Sequence, residues 1–265
     1  MTKFIGIISG KGGVGKTTTA INLTATLLGF GRSAILVDGD LSGSNIALHL
    51  GLPLNERTLH TVLKNKHSMR ESIYKHPSGL FVIPGSVSYD HFKDVNLERL
   101  PDALLDLVGH SEVVVVDSSS GYGVEMKAVL KAVDYVIIVT TPDMIAVAEA
   151  LKSCKLAQEQ GKTILGVLVN RVRNEETEMT WQNVQTVLGV PVIGVMPEDD
   201  AVRLSQYLKN PVVYTHPTSN LTRAFKFLAA RLIGEQYHEE LPAVHEEHKQ
   251  HSLGYYVLKN LGFVE

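Results

Sequence analysis

Seven short runs of consecutive apolar and β-branched residues punctuate the chain: FIGIIS (4–9), AILVD (34–38), LFVIPG (80–85), VVVVD (113–117), YVIIVT (135–140), ILGVLVN (164–170) and PVIGVMP (191–197). They are nearly continuous in apolar residues rather than alternating, the pattern of strands covered on both faces. Between them the period lengthens to that of helices. Lys16 to Leu28 is one, and MIAVAEALKSCKLAQEQGK (144–162), closed by Gly161, is another. A third, SNLTRAFKFLAARLIG (219–234), puts Leu221, Phe225, Leu228 and Leu232 on one face and follows Pro217. A shorter surface helix is expected within EMTWQNVQTVLG (178–189), with Trp181 packing on it. This alternation predicts an α/β fold: a mostly parallel, doubly wound sheet flanked by helices and joined by right-handed crossovers. The composition shifts once, near residue 236, from this pattern to the polar QYHEELPAVHEEHKQHS and then the more apolar LGYYVLKNLGFVE. The expected organisation is one domain over residues 1–235 and a tail over 236–265.

Composition narrows the classes of function. The 265 residues are 44% hydrophobic and 20% charged with a net charge of −3, which suits a globular domain with a large core and gives no sign of nucleic acid as the main partner. The single cysteine, Cys154, forms no internal disulfide and cannot hold an iron–sulfur cluster or zinc site within one chain. No charged start followed by an apolar run and a cleavage site is present, and no apolar run reaches the roughly 18 residues of a membrane span. The expectation is a cytoplasmic protein, at most peripheral on the inner face of the cell membrane. The histidines of the tail, His238, His245, His248 and His251, lack a consistent ligand spacing and read as solvated.

The chemistry gathers at the ends of three strands. The first runs into SGKGGVGKTTTAINL (9–23), whose Gly10 to Thr17 fill the GxxxxGK[ST] frame of a phosphate-binding loop that opens a helix. Glycines at 10, 12, 13 and 15 let backbone N–H groups turn inward around phosphate oxygens, with Val14 between them and Thr18 just beyond. Lys16 is suited to the β- and γ-phosphates and the Thr17 hydroxyl to Mg²⁺. The second strand ends in Asp38 and Asp40, at the sheet edge where ligands collect. The two can orient Mg²⁺-bound waters and an attacking water, or serve as helix caps and turn residues. Ser44 offers a cap for the next helix, so Asp40 is not needed for one. The fourth run ends in Asp117, as does the second motif of P-loop NTPases, where the aspartate holds Mg²⁺. Gly121 then offers a backbone N–H near the γ-phosphate.

One residue exceeds what gripping a triphosphate requires: Lys11, directly after the first glycine. The form KGGxGKT, together with VDGD, SNIALHLGL (44–52), VLVNRV (167–172) and VMPEDDAVR (195–203), resembles the MinD/ParA family of ATPases with a deviant phosphate-binding loop. The resemblance covers roughly residues 3–233 in order, and within the class it is to MinD-type cell-division and positioning ATPases. It implies an ATPase, slow and stimulated by an activating protein, that uses ATP and Mg²⁺ and forms a homodimer enclosing two ATP molecules. Lys11 is implied to reach the partner's phosphates and Asp40 to be the switch aspartate of hydrolysis. Asn170 is implied to bind the adenine edge with Arg171 packed beside the base, while Pro197 and Glu198 close over it. The metal set is Thr17, Asp38 and Asp117. The chain departs from the family after Asp117, where Ser118, Ser119 and Ser120 replace a proline and alanine; a more polar and less stiff loop is expected there.

Related roles remain. A DNA-partition ATPase of the ParA kind needs a basic surface that this composition lacks. A flagellar-number regulator carries an N-terminal activating segment, whereas here the first strand is expected from residue 4. An iron–sulfur carrier needs paired cysteines. In the tail, Leu253, Tyr256, Val257, Leu261 and Val264 form one helical stripe, with aromatic Tyr255, Tyr256 and Phe263 suited to a membrane interface. Only one basic residue, Lys259, accompanies them, so weak, ATP-dependent membrane contact through residues 252–264 is expected.

Overall fold

The computed structural model describes residues 1–54 and 56–237. Its strands are β1 (Lys3–Ser9), β2 (Ala34–Gly39), β3 (Tyr74–Lys75), β4 (Phe81–Ile83), β5 (Val113–Ser120), β6 (Tyr135–Thr140), β7 (Thr163–Val172) and β8 (Val192–Pro197). Among the described residues they form one sheet in the order β3-β4-β2-β5-β1-β6-β7-β8, parallel throughout except at the antiparallel edge strand β3. The seven expected strands are all present. β3 was not expected, because two residues are too short to carry a pattern.

The helices are α1 (Lys16–Gly29), α2 (Ile46–Leu50), α3 (Leu59–Leu63), α4 (Tyr89–Phe92), α5 (Leu100–Leu105) and α6 (Val124–Ala132). There follow α7 (Met144–Glu159), α8 (Trp181–Leu188), α9 (Ala201–Tyr207), α10 (Val212–Thr215) and α11 (Asn220–Ile233). Three of them, α7, α8 and α11, start where the sequence supplies an acceptor. Asp143 takes the Ala146 N–H at 2.9 Å, Thr180 that of Asn183 at 3.2 Å and Ser219 that of Thr222 at 3.1 Å.

Two cores sit on opposite faces of the sheet. On one, Ile8, Val116 and Ile138 pack with Leu63, Leu104, Met126 and Val147. On the other, Ile7, Val115 and Ile137 pack with Leu23, Leu50, Phe225 and Leu228. Burial on both sides is what the near-continuous apolar strands predict, and each fully buried large side chain contributes on the order of 1.5–3 kcal/mol. Helix α1 is enclosed by both sheet and helices, so even its polar residues are buried. Asn22, Thr24 and Thr26 satisfy themselves on the helix backbone, Thr24 donating to the Ala20 carbonyl at 2.7 Å and Thr26 to that of Asn22 at 2.6 Å. β1 lies between β5 and β6, so connections leave it toward opposite sides of the sheet. At such a switch point the loops after β1, β2 and β5 gather into one crevice.

Candidate functional site

The loop after β1 is built to hold an anion. Gly13 and Gly15 both take left-handed backbone conformations, φ 78° and 99°. The space beside Gly15 is also filled: a Cβ there would come within 2.2 Å of Asn170 Nδ2. Gly15 stands at the N-terminus of α1, has no side chain to cap it, and the first turn of α1 holds no acidic residue. The open N–H groups and the helix dipole therefore favour a phosphate. Lys16 is buried within this turn, only 7% exposed. Burial pulls its pKa down, and the charges of Asp117 and Asp40 oppose that.

Asp38 and Asp117 are register partners on adjacent strands β2 and β5, both essentially inaccessible. Burial raises both carboxyl pKa values. For Asp38 the neighbouring Asp117 and Asp40 charges add to the rise, well above the usual range. For Asp117 the Thr17 hydrogen bond and Lys16 hold it to about 7. The Thr17 hydroxyl donates to Asp117 Oδ2 at 2.6 Å, while Oδ1 of each aspartate is buried without a hydrogen-bond partner among the described residues. Two orphaned carboxylate oxygens beside a hydroxyl, in a pocket that disfavours their charge, fit a hard divalent cation that takes oxygen ligands.

The expected cap of α2 is different. Asn45, not Ser44, precedes the helix, and Asp38 Oδ2 accepts the Ile46 N–H at 3.3 Å. The Ser44 hydroxyl instead donates to the Asp40 carbonyl at 2.8 Å, and Asp40 Oδ1 accepts the Gly43 N–H at 3.1 Å. Asp40 thus sits in a self-bonded turn at the rim of the crevice.

The three serines do not make a loose loop. β5 runs on through Ser120, Ser118 is fully buried, and its hydroxyl donates to the Ile7 carbonyl at 2.8 Å. The sheet, rather than a proline, stiffens this segment. Gly121 follows with φ 84°, its N–H directed at the Ser9 carbonyl at 3.3 Å. Tyr122 then crosses to α7, where its hydroxyl is shared between the Glu149 carbonyl at 2.7 Å and carboxylate at 2.8 Å. Its hydroxyl end also abuts the phosphate loop: a Cβ on Gly10 would be 2.0 Å from the Tyr122 oxygen.

Beside the loop opens a cavity of about 450 Å³, lined by Lys11, Gly12, Gly13 and Val14 together with Arg171, Arg173 and Glu198. Asn170, next to Arg171, donates from Nδ2 to the Val14 carbonyl at 2.7 Å. Arg171 has a left-handed backbone, φ 59°, where the pairing of β7 with β8 shifts register. Pro197 pairs with Val172, and Glu198 donates its N–H to the Val172 carbonyl at 2.9 Å. Thr18 lines a separate crevice with Asn22 and His49.

Three residues of this cavity escaped the sequence reading. Asp143 holds Lys11; its signal was the helix start after TTPD. Arg173 pairs with Glu198 at 3.4 Å. Glu178 caps that loop by accepting the Arg173 and Asn174 N–H groups at 3.1 and 2.9 Å.

The chain matches the CobQ/CobB/MinD/ParA nucleotide binding domain over residues 5–212. An uncharacterized ATP-binding protein of Methanocaldococcus jannaschii is 37% identical over 237 residues, 89% of this chain and 90% of that protein. The septum site-determining protein MinD of a Synechocystis strain is 30% identical over 89% of this chain and 91% of its own. The septum site-determining protein MinD of Pyrococcus horikoshii, solved in complex with Mg-ADP, matches the fold with a TM-score of 0.84 at 31% identity, covering 88% of this chain and 96% of that one. This chain belongs to the MinD/ParA family of P-loop nucleotide-binding proteins.

Proposed function

We propose that this family member is an ATP-driven switch of the MinD type, which binds ATP with Mg²⁺, dimerises around two nucleotides and is reset by hydrolysis. In that state it positions cellular machinery such as the division site. The observation that carries the reading is the division of labour between the two lysines of one loop. Lys16 is buried within its own phosphate cradle, whereas Lys11 Nζ lies outside that cradle, paired with Asp143 beside the open cavity. A cation so held is available to a second subunit's triphosphate, and two uncompensated triphosphates facing each other would repel.

In this reading Thr17, Asp38 and Asp117 hold Mg²⁺, which neutralises charge on the β- and γ-phosphate oxygens. The N–H groups of residues 10–17 and Lys16 hold the phosphates. Asp40 orients the attacking water, and the γ-phosphoryl group passes to that water to give ADP and phosphate. Asn170, with Nδ2 committed to the Val14 carbonyl, keeps its oxygen for the adenine amino group. Arg171, Pro197 and Glu198 line the base.

Sedimentation of Asp40→Ala protein tests this. ATP with Mg²⁺ should give a dimer at tens of micromolar and ADP a monomer; a monomer in both would overturn the sandwich. The net charge of −3 gives no support to DNA partition, and a mobility shift with ATP at low salt would reverse that preference.

Among the described residues no helix is long and apolar enough to cross a membrane. The apolar stripe of residues 252–264 lies outside the described residues. Peripheral, ATP-dependent attachment through it is part of this proposal, and liposome pelleting of full-length and truncated protein with ATP tests it.

A further inference from the structure

His60 is fully buried, yet neither ring nitrogen is spent on its own helix. Its Nδ1 accepts the N–H of Ser86 at 3.0 Å, so in the neutral ring the proton is on Nε2, which meets the Leu41 carbonyl at 3.0 Å. Leu41 directly follows Asp40. The two loops that the ring joins leave neighbouring parallel strands, β2 and β4, which pair at Val37 and Ile83. Helix α3 is itself pinned to the β4 loop, since the Leu59 N–H donates to the Pro84 carbonyl at 2.8 Å. The ring is therefore fixed on the β4 side, and its Nε2–H grips the segment that carries Asp40.

The rest of that segment is held mainly by itself. Among the described residues Asp40 bonds Gly43 and Ser44 within the turn, and Glu125 tethers the turn to α6, its Oε2 accepting the Ser42 N–H and hydroxyl at 3.2 Å. On its N-terminal side Asp40 follows Gly39, held by its pairing with Ser118 of β5, and on its C-terminal side the hydrogen bond from His60 acts on the adjoining Leu41. Leu41 as a whole is 2% exposed, so its carbonyl is shielded from water that would replace the imidazole.

We propose that His60 is a positioning residue for hydrolysis: through the Leu41 carbonyl it fixes where the Asp40 carboxylate stands against the attacking water. The inference rests on the hydrolytic role of Asp40 proposed above and deepens it. It does not concern nucleotide binding, because the ring's hydrogen bonds go to Leu41 and Ser86 and not, among the described residues, to the phosphate loop or base cavity.

Two amide isosteres separate positioning from mere packing. His60→Gln carries an N–H to the Nε2 position and keeps the grip on Leu41. His60→Asn carries an oxygen to the Nδ1 position, keeps the Ser86 bond and leaves Leu41 ungripped. Steady-state ATPase, ADP affinity and ATP-dependent dimerisation are measured on the full chain. His60→Asn should lose about 10- to 100-fold in kcat, the effect of a misplaced catalytic group, with KM and ADP affinity within about 3-fold. His60→Gln should stay within about 3-fold of the wild type in all three. Equal kcat losses in both variants, or a loss of ADP affinity parallel to kcat, would assign His60 to packing alone and overturn the inference. A wild-type chain that binds and dimerises on ATP without ever hydrolysing it would overturn the hydrolytic reading as well.

Discussion

Lys11 Nζ lies 3.1 and 3.2 Å from the two carboxylate oxygens of Asp143, 132 residues away, the residue that also caps α7. Burial raises the Asp143 pKa, but hydrogen bonds from Thr141, the Ala146 N–H and Lys11 outweigh it, and the carboxyl stays below its usual range. The isolated subunit thus holds Lys11 in a charged contact that it must leave to serve a second subunit. Both side chains are over a third exposed, so the pair is worth at most about 1 kcal/mol. Asp143→Asn keeps an N-cap acceptor and removes only the charge. ATP-dependent dimerisation should then strengthen by about 2- to 5-fold with ADP affinity unchanged. Sedimentation equilibrium checks this, and weaker dimerisation would mean that Asp143 acts within the dimer instead.

The two lysines should fail differently. Lys16→Ala removes a buried cation from the phosphate cradle and should weaken both ADP and ATP binding by about 100-fold or more. Lys11→Ala should leave ADP affinity within about 3-fold and abolish dimerisation and turnover. Isothermal titration with ADP distinguishes them, and equal losses would assign Lys11 to its own subunit's phosphates.

Asp117 trades stability for cation binding. It is buried beside Asp38 with one oxygen unsatisfied, and burial first of all lifts its pKa to about 7. Asp117→Asn keeps an acceptor for the Thr17 hydroxyl and relieves the carboxylate pair, while Asp40 remains to balance Lys16. Without nucleotide at pH 8 the variant should be more stable by about 1–3 kcal/mol, and its Mg²⁺-dependent ATP affinity should fall at least 10-fold. Urea unfolding without nucleotide measures the first, and its shift on adding ATP with Mg²⁺ measures the second. A destabilised variant would mean that the carboxylate stabilises the fold.

His60 sets an acid limit on stability. Burial holds its pKa down to about 4, against 6.5 for an ordinary histidine. The folded state therefore needs the neutral ring. Its contribution is complete above pH 6.5 and is lost as pH falls toward 4, because the unfolded chain takes up the proton first. Between pH 7 and 5 the wild type should lose up to about 2 kcal/mol more than His60→Gln. Chemical unfolding at the two pH values reads the difference, and parallel curves would show that the ring titrates in the fold as it does in the unfolded chain.

Gly10 is required by one neighbour. A Cβ there would meet the Tyr122 hydroxyl oxygen at 2.0 Å and Cζ at 2.7 Å, with the Glu149 carbonyl at 3.0 Å. Gly10→Ala should cost about 1–3 kcal/mol of stability, and in a Tyr122→Ala background at least about 1 kcal/mol less. A double-mutant cycle by thermal unfolding tests this; additive costs would show that the alanine is accommodated by the loop.

The α/β order, the seven parallel strands and the principal helices were legible in the chain. Buried parallel strands must be continuously apolar, and helices start at residues whose side chains accept a hydrogen bond, so both leave local marks. The phosphate loop was legible for the same reason, since its function needs glycines and a lysine at fixed spacing beside a strand and a helix. What the sequence could not carry was whatever depends on two distant segments meeting. The partnership of Asp38 with Asp117 follows from the register of β2 with β5, and that of Lys11 with Asp143 from the adjacency of β1 and β6. The stiffness of Ser118–Ser120 comes from β5 continuing alongside β1, not from the residues' own preferences. Ser44 illustrates the same limit: its type suits a helix cap, yet the fold gives that hydrogen bond to Asp38 because a buried carboxylate from the strand already occupies the helix end. His60 was silent in sequence because a buried imidazole has no pattern, and its meaning lies entirely in the two loops that the sheet brings to either side of it.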